Sequence, residues 1–225
     1  MHYLISYNEI ITTVTKALFA LGAPPGSDSE NAKNIAWLET QQFDGISILA
    51  DEIKSIERSG GWAKPVLTRC ANELMLTSKI PSSLIIAQTA LDFAETGKIV
   101  NIKFCSAPLI IFAEATRRST NANFFRLYWT IDGLPVEGIC ANKFATINPL
   151  SKSTQMPGEI IVKPQAGGRL ENILSDNNVF QRSLNEGIQV GEKPWKLITQ
   201  MAKRILVPSS LNSRSSAGAE VDDSN

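Results

Sequence analysis

One histidine, His2, is all that 225 residues contain, and that scarcity excludes more than any motif present. It removes a Ser–His or Cys–His nucleophile pair, a histidine general base and a His-rich metal site together. Any catalyst in this chain must use carboxylates, Lys, Tyr or Cys. Cysteine is scarce as well: Cys70, Cys105 and Cys140 are odd in number and none forms a Cys-x-x-Cys. Neither a zinc site nor a redox pair is signalled, and buried, reduced thiols are expected. Net charge is missing too, with 22 basic and 22 acidic residues. Arg117-Arg118 is too small a basic cluster to hold nucleic acid. No Gly-x-Gly-x-x-Gly occurs, and "QAGGRLE" lacks the Lys-Ser/Thr of a phosphate loop, so neither kind of nucleotide site is supported. The longest apolar run, Ala107 to Ala113, falls far short of the ~20 residues that span a bilayer. The first residues lack the basic start and apolar stretch of a signal peptide. The expectation is a cytoplasmic bacterial-type protein with no metal, no cofactor, and no nucleic-acid or membrane partner. A small-molecule ligand and a second copy of the chain, as a homodimer, are the partners left open.

What is present is ordinary amphipathic patterning. Ser6-x-x-Glu9 is a capping box ahead of Ile10, Val14, Ala17, Leu18 and Leu21 at helical spacing. Ser27 and Glu30 repeat the box before a second helix with Ala32, Ile35, Trp37 and Leu38. A third, through Ile46, Leu49, Ile53 and Ile56, stops at Gly60-Gly61. Asp44-Gly45 between the last two reads as a turn, with Asp44 a candidate cap. "SSLIIAQTALDFAETG" favours a helix closed by Gly97, and "KIVNIKF" a strand. Pro108 suits a first helical position, with Arg117 and Arg118 near the negative end of that helix. "KFATI" and "GEIIVK" read as strands, and a last amphipathic helix begins near Pro194. Trp37, Trp129 and Trp195 are expected to be largely buried.

"FFRLYWTIDGLPVEG" alternates cleanly around Asp132-Gly133, a strong hairpin signal. Two turn residues there place Ile131 opposite Leu134, Trp129 opposite Val136 and Tyr128 opposite Glu137. Phe125, Leu127, Trp129 and Val136 then share the core side. Arg126, Tyr128 and Glu137 share the other, either as a recognition face for a carboxylate or as a solvated face with an exposed ion pair. The latter is the simpler account.

Two resemblances add to this. Gly22 to Leu49, with its Gly-rich turn, acidic first turn and Trp37-Leu38, resembles the opening of an uncharacterised bacterial family, a domain of unknown function. The end of the chain resembles the same family at Pro208, Ser209, Ser210, Ser213, Arg214, Ala217-Gly218-Ala219 and Asp222-Asp223, departing from it at Leu211 and Glu220. That resemblance implies no established activity. The first sixty residues also resemble those of the type-2 malate/L-lactate dehydrogenases, whose Asp-Ser-His-Gly-like turn supplies a catalytic histidine. The corresponding turn here is "FDGIS", so their hydride-transfer mechanism does not carry over.

The fold expected is α+β: an N-terminal helical unit packed on a small, mostly antiparallel sheet, with a C-terminal helix and a polar tail. Residues 1–207 form a single globular domain, with the helical unit over 1–59 and a mixed part over 60–207. Residues 208–225 are partly disordered, Pro208 to Arg214 lying against the body and the last seven residues mobile. Two function classes follow. The preferred one is a non-catalytic small-molecule-binding or assembly protein. The alternative is a diverged metabolic enzyme acting on a small carboxylate or amino-acid-like substrate. Arg126, Tyr128, Glu137, Ser209, Ser213 and Arg214 are the candidate ligand-binding residues, the two arginines for their carboxylate-matching forks.

Overall fold

The computed structural model describes residues 1–70, 73–78, 82–131, 133–148, 158–166 and 177–205. A short strand that periodicity did not announce, β1 (His2–Ile5), leads into helix α1 (Tyr7–Ala20). Ser6 caps α1 as its sequence requires, its hydroxyl accepting from the Glu9 amide at 3.2 Å. The second box does not form. Gly26, with left-handed φ, is the N-cap of α2 (Ser27–Thr40), and Ser27 sits buried inside the first turn. Its carbonyl and hydroxyl instead accept from the Asn31 amide. Glu30 is drawn away to Lys33 and Arg117. Tertiary partners therefore outcompete the local cap. Helix α3 (Gly45–Arg58) follows as expected.

The middle of the chain builds a sheet larger than the alternation suggested. Strands β2 (Val66–Cys70) and β3 (Glu73–Thr77) are followed by α4 (Ser83–Glu95), β4 (Ile99–Cys105) and α5 (Pro108–Arg118). Next come β5 (Asn123–Ile131), β6 (Leu134–Ala141), β7 (Phe144–Asn148) and β8 (Gly158–Ala166). Helix α6 (Asn177–Glu186), strand β9 (Ile188–Gly191) and helix α7 (Glu192–Lys203) close the described chain. Seven strands form one sheet in the order β2-β3-β4-β8-β5-β6-β7, and β1 pairs with β9 in a second, small one. Every pairing is antiparallel except β3 with β4, which α4 joins by a crossover.

Hairpin register agrees with the sequence arithmetic: Ile131 faces Leu134, Trp129 faces Val136 and Tyr128 faces Glu137. Phe125, Leu127, Trp129 and Val136 are buried on the side that α4 and α5 cover. Asp132 lies outside the described residues. The helical unit reaches this sheet indirectly, because α2 packs on α5 and α4, and those two helices lie on the strands. Helix α7 joins the unit by packing along α1 and α3. Trp129 and Trp195 are buried, whereas Trp37 is only half-buried at the edge of the contact between α2 and α5. Among the described residues, no helix is long and apolar enough to cross a membrane. Cys105 and Cys140 are fully buried free thiols, and burial pushes both up to about 12. They are uncharged thiols at neutral pH, without the thiolate that nucleophilic chemistry needs.

One close approach fixes how α5 sits on the sheet. A Cβ placed on Gly138 of β6 would meet the Phe112 ring at 2.8 Å and Trp129 at 3.0 Å. Phe112 can lie flat against the strand only because no side chain stands there. Gly138→Ala is expected to lower stability by about 1–3 kcal/mol through overpacking. Combined with Phe112→Leu, the loss should be smaller than the two single losses added together. Urea denaturation of the four proteins checks this.

Candidate functional site

The turn between α2 and α3, like that at Asn142-Lys143, holds two non-glycine residues at positive φ. Gln42 and Asp44 both adopt left-handed φ, 62° and 50°. Neither is glycine, and such residues cost on the order of 1–3 kcal/mol unless their surroundings hold them. The constraint is visible. A Cβ on Gly45 would stand 2.5 Å from the Ile35 carbonyl oxygen, so α3 begins pressed against α2 and the turn must be tight. Phe43 donates its amide to the Leu38 carbonyl at 2.9 Å, closing the end of α2.

Asp44 occupies the N-cap position of α3 but makes no side-chain cap, because its left-handed backbone turns the carboxylate outward. Glu39, from the last turn of α2, caps α3 instead: its Oε2 accepts from the Ile46 amide at 2.8 Å. Glu39 is buried, with 8% of its surface exposed. Among the described residues it has no cation as a partner. Burial, reinforced by the negative charge of Asp44, pushes its carboxyl up to about 7. It can therefore take up or release a proton near neutrality, which an exposed glutamate cannot do.

This turn forms one wall of a cavity of about 420 Å³. Glu39, Thr40, Gln42 and Asp44 face Arg182, Ser183 and Glu186 across it, with Leu4 and the start of β9 closing the side. Helix α6 brings the second wall. It is anchored by Phe180, whose ring meets that of Tyr7 edge-on at 5.5 Å. Arg182 makes no ion pair or hydrogen bond among the described residues. The cavity thus presents one guanidinium, unpaired among the described residues, with Glu186 on its own helix and Glu39 and Asp44 on the opposite wall.

Sequence reasoning placed candidates elsewhere. Arg126, Tyr128 and Glu137 do come together on the sheet face opposite Phe125, Leu127 and Trp129. Arg126 donates to Glu137 at 2.9 Å and from Nε to Gln165 at 2.7 Å, and the Lys163 ammonium lies 5.1 Å from the Tyr128 ring centroid. That guanidinium is already engaged by two partners. Ser209, Ser213 and Arg214 fall outside the described residues, as does the expected division of the tail. Arg182 and Glu186 were missed because "NNVFQRSLNE" is mostly polar; Val179, Phe180 and Leu184 were its only amphipathic signal. Nothing in the sequence analysis singled out Glu39. The acid five residues before Asp44-Gly45, at the junction of two helices, was the available hint.

Residues 5–82, about a third of the chain and including Glu39 to Asp44, match a family described as "Protein of unknown function (DUF3726)". No curated protein sequence matches the chain. Several solved structures share its fold. Malate dehydrogenase from Pyrococcus horikoshii OT3 superposes with a TM-score of 0.63 at 9% identity, covering 93% of this chain and 97% of that one. Sulfolactate dehydrogenase from Methanocaldococcus jannaschii gives 0.62 at 8% identity, over 89% and 97%. The delta1-piperideine-2-carboxylate reductase of Pseudomonas syringae gives 0.55 at 11%, over 88% and 99%. At such identities the likeness is one of fold. It agrees with the similarity of the first sixty residues to type-2 malate/L-lactate dehydrogenases.

The buried proton on Glu39 has a consequence for stability. Its carboxyl is raised from 4.5 to about 7 on folding, so between these values the native state holds a proton that the unfolded chain has released. Its contribution to stability is full below 4.5 and is lost as pH rises to about 7, by on the order of 3 kcal/mol at ~1.4 kcal/mol per unit. Glu39→Gln keeps an acceptor for the Ile46 amide but cannot titrate. The stability of the wild type relative to Glu39→Gln should therefore fall across that window, measured by denaturation at a series of pH values. A difference that stays level would mean that Glu39 ionises like an exposed carboxylate.

Proposed function

We propose that this protein binds a small amino-acid-like molecule in the cavity between the α2–α3 turn and α6. The observation that carries the reading is the Arg182 guanidinium, unpaired among the described residues, facing Asp44 across the cavity with Glu186 beside it on α6. The planar guanidinium suits a ligand carboxylate, which it can hold by two parallel hydrogen bonds. Asp44 and Glu186 suit an ammonium group. A lining with more carboxyl groups than cations repels a dicarboxylate and accommodates a zwitterion. Glu39 sits behind the turn, holding the start of α3 and with it the outward aim of Asp44.

The fold relatives named above act, by their names, on malate, sulfolactate and a piperideine carboxylate. Their kind of ligand, a small carboxylate, supports the carboxylate half of the reading. The turn "FDGIS" offers Asp44 and no histidine, so no hydride-transfer step is derived for this chain.

A second reading, that the same cavity is catalytic, is favoured by Glu39 alone. A carboxyl group that titrates near neutrality can accept a proton from a bound molecule and return it. Deuterium uptake from heavy water into a bound ligand, present in the wild type and lost in Glu39→Gln, would distinguish this from binding alone.

Binding itself is testable by calorimetry with a panel of neutral amino acids, their amine-free counterparts and malate. Amino acids should bind more tightly than either control. Arg182→Ala should weaken them about 10- to 100-fold, in line with the loss of a charged hydrogen-bond pair, and Asp44→Asn should bring the amino acids closer to their amine-free counterparts. Malate binding as well as the amino acids do, or indifference to Arg182→Ala, would defeat the proposal.

A further inference from the structure

The segment from Glu39 to Asp44 has two sides. Glu39, Thr40, Gln42 and Asp44 line the cavity described above, while Gln41 and Phe43 line a different one. This second cavity, of about 250 Å³, is completed by Trp37 from α2, Phe112 from α5, and Ala145, Thr146 and Ile147 of β7. Strand β7 is an edge of the large sheet.

We infer that this cavity is a binding site for a planar, uncharged ring. Three aromatic side chains, Trp37, Phe43 and Phe112, form its walls, and Trp37 already meets Phe112 edge-on at 6.0 Å between centroids. A ring entering it gains further offset or edge-on contacts of the same kind. Among the described residues, no charged one belongs to the lining, so an ionised group would lose its hydration without compensation. The size is appropriate: an apolar cavity of about 150 Å³ is known to take up benzene, and this one is larger. Polar contacts are few and local. The Gln41 side-chain carbonyl, whose amide nitrogen donates to the Thr40 hydroxyl at 3.4 Å, and the Thr146 hydroxyl are available to one substituent on the ring. The Trp37 indole N–H has no acceptor among the described residues, although a half-buried tryptophan usually finds one. Trp62, by comparison, gives its N–H to the Leu21 carbonyl at 2.8 Å.

The inference does not rest on the amino-acid reading, because a neutral ring has neither of the charges that Arg182 and Asp44 would hold. The probe is p-cresol, with cyclohexanol as a non-planar control of similar size. Saturation-transfer NMR on the full chain should show the p-cresol ring protons bound and cyclohexanol not bound. Nuclear Overhauser contacts from the probe should reach the Trp37 indole and the Ala145 methyl. Thr146→Phe, which fills the cavity, should reduce p-cresol binding at least tenfold, and Arg182→Ala should leave it unchanged. The Overhauser contacts in the wild type decide the matter even if Thr146→Phe does not fold. Failure of p-cresol to bind at millimolar concentration, contacts to other residues, or equal binding of cyclohexanol would overturn the proposal.

Discussion

Glu114, a carboxylate with 1% of its surface exposed, ties together the helices that cover the sheet. It sits on α5 and accepts from Arg118 Nε at 2.6 Å and from the Asn34 amide of α2 at 2.7 Å; Arg117 lies 3.3 Å away. The two arginines carry the network outward. Arg117 reaches Glu30 of α2 at 2.7 Å and Arg118 reaches Asp92 of α4 at 2.6 Å. Three helices are thereby fixed through one buried charge. Breaking such a pair by removing one partner typically costs ~3–5 kcal/mol, because the remaining charge has no compensation. The arginine pair stands in the last turn of α5, where the sequence placed it, and from there Arg117 ties that helix to α2 and Arg118 ties it to α4.

From that contact the position of the site follows. The network grips α2 at Glu30 and Asn34, and the helix then runs without interruption to Thr40. Its last turn is consequently held at a set distance from α5 and from the strand edge at β7. Glu39, like Glu52 of α3, is another buried carboxylate of this layer, and it contrasts with Glu114. Glu114 is surrounded by guanidinium groups. Glu39 has only backbone amides at the start of α3 and is pushed up to about 7. The same burial that a pair of arginines offsets in one place becomes a titratable proton in the other. Stability is concentrated at Glu114, and chemical responsiveness at Glu39.

Local pattern was sufficient for much of the fold. The hairpin register, the helices from Tyr7 to Arg58, the Pro108 start of α5 and the mostly antiparallel sheet could all be read from period and turn residues. Those elements carry strong alternation or helical spacing of apolar side chains. The short edge elements could not be read in this way. β1 and β9 have four residues each, too few for a period, and exist because each completes the other. α6 has a polar sequence and is located by one ring, Phe180, on Tyr7. The site was illegible for the same reason. Its walls come from a helix end, a turn and α6, and what sets Glu39 apart is burial without an ion-paired cation among the described residues, which no spacing in the chain records.

The turn at residues 41–44 unites these observations. Gln42 ends α2 in the common left-handed C-cap, standing where glycine is usual, with its amide donating to the Glu39 carbonyl and that of Phe43 to the Leu38 carbonyl. The close packing of Gly45 against Ile35 is a second constraint, which leaves the chain no room for a wider path into α3. The result is that successive side chains alternate between two cavities: one charged and built against α6, one aromatic and built against β7. A straight helix extended through these positions would turn Phe43 and Asp44 only about 100° apart around its axis. The reversal at Gln42 and Asp44 is what separates the aromatic wall from the carboxylate wall. Strain in this backbone is therefore tied to the placement of functional groups, and a relaxed turn would merge two chemically distinct surfaces into one.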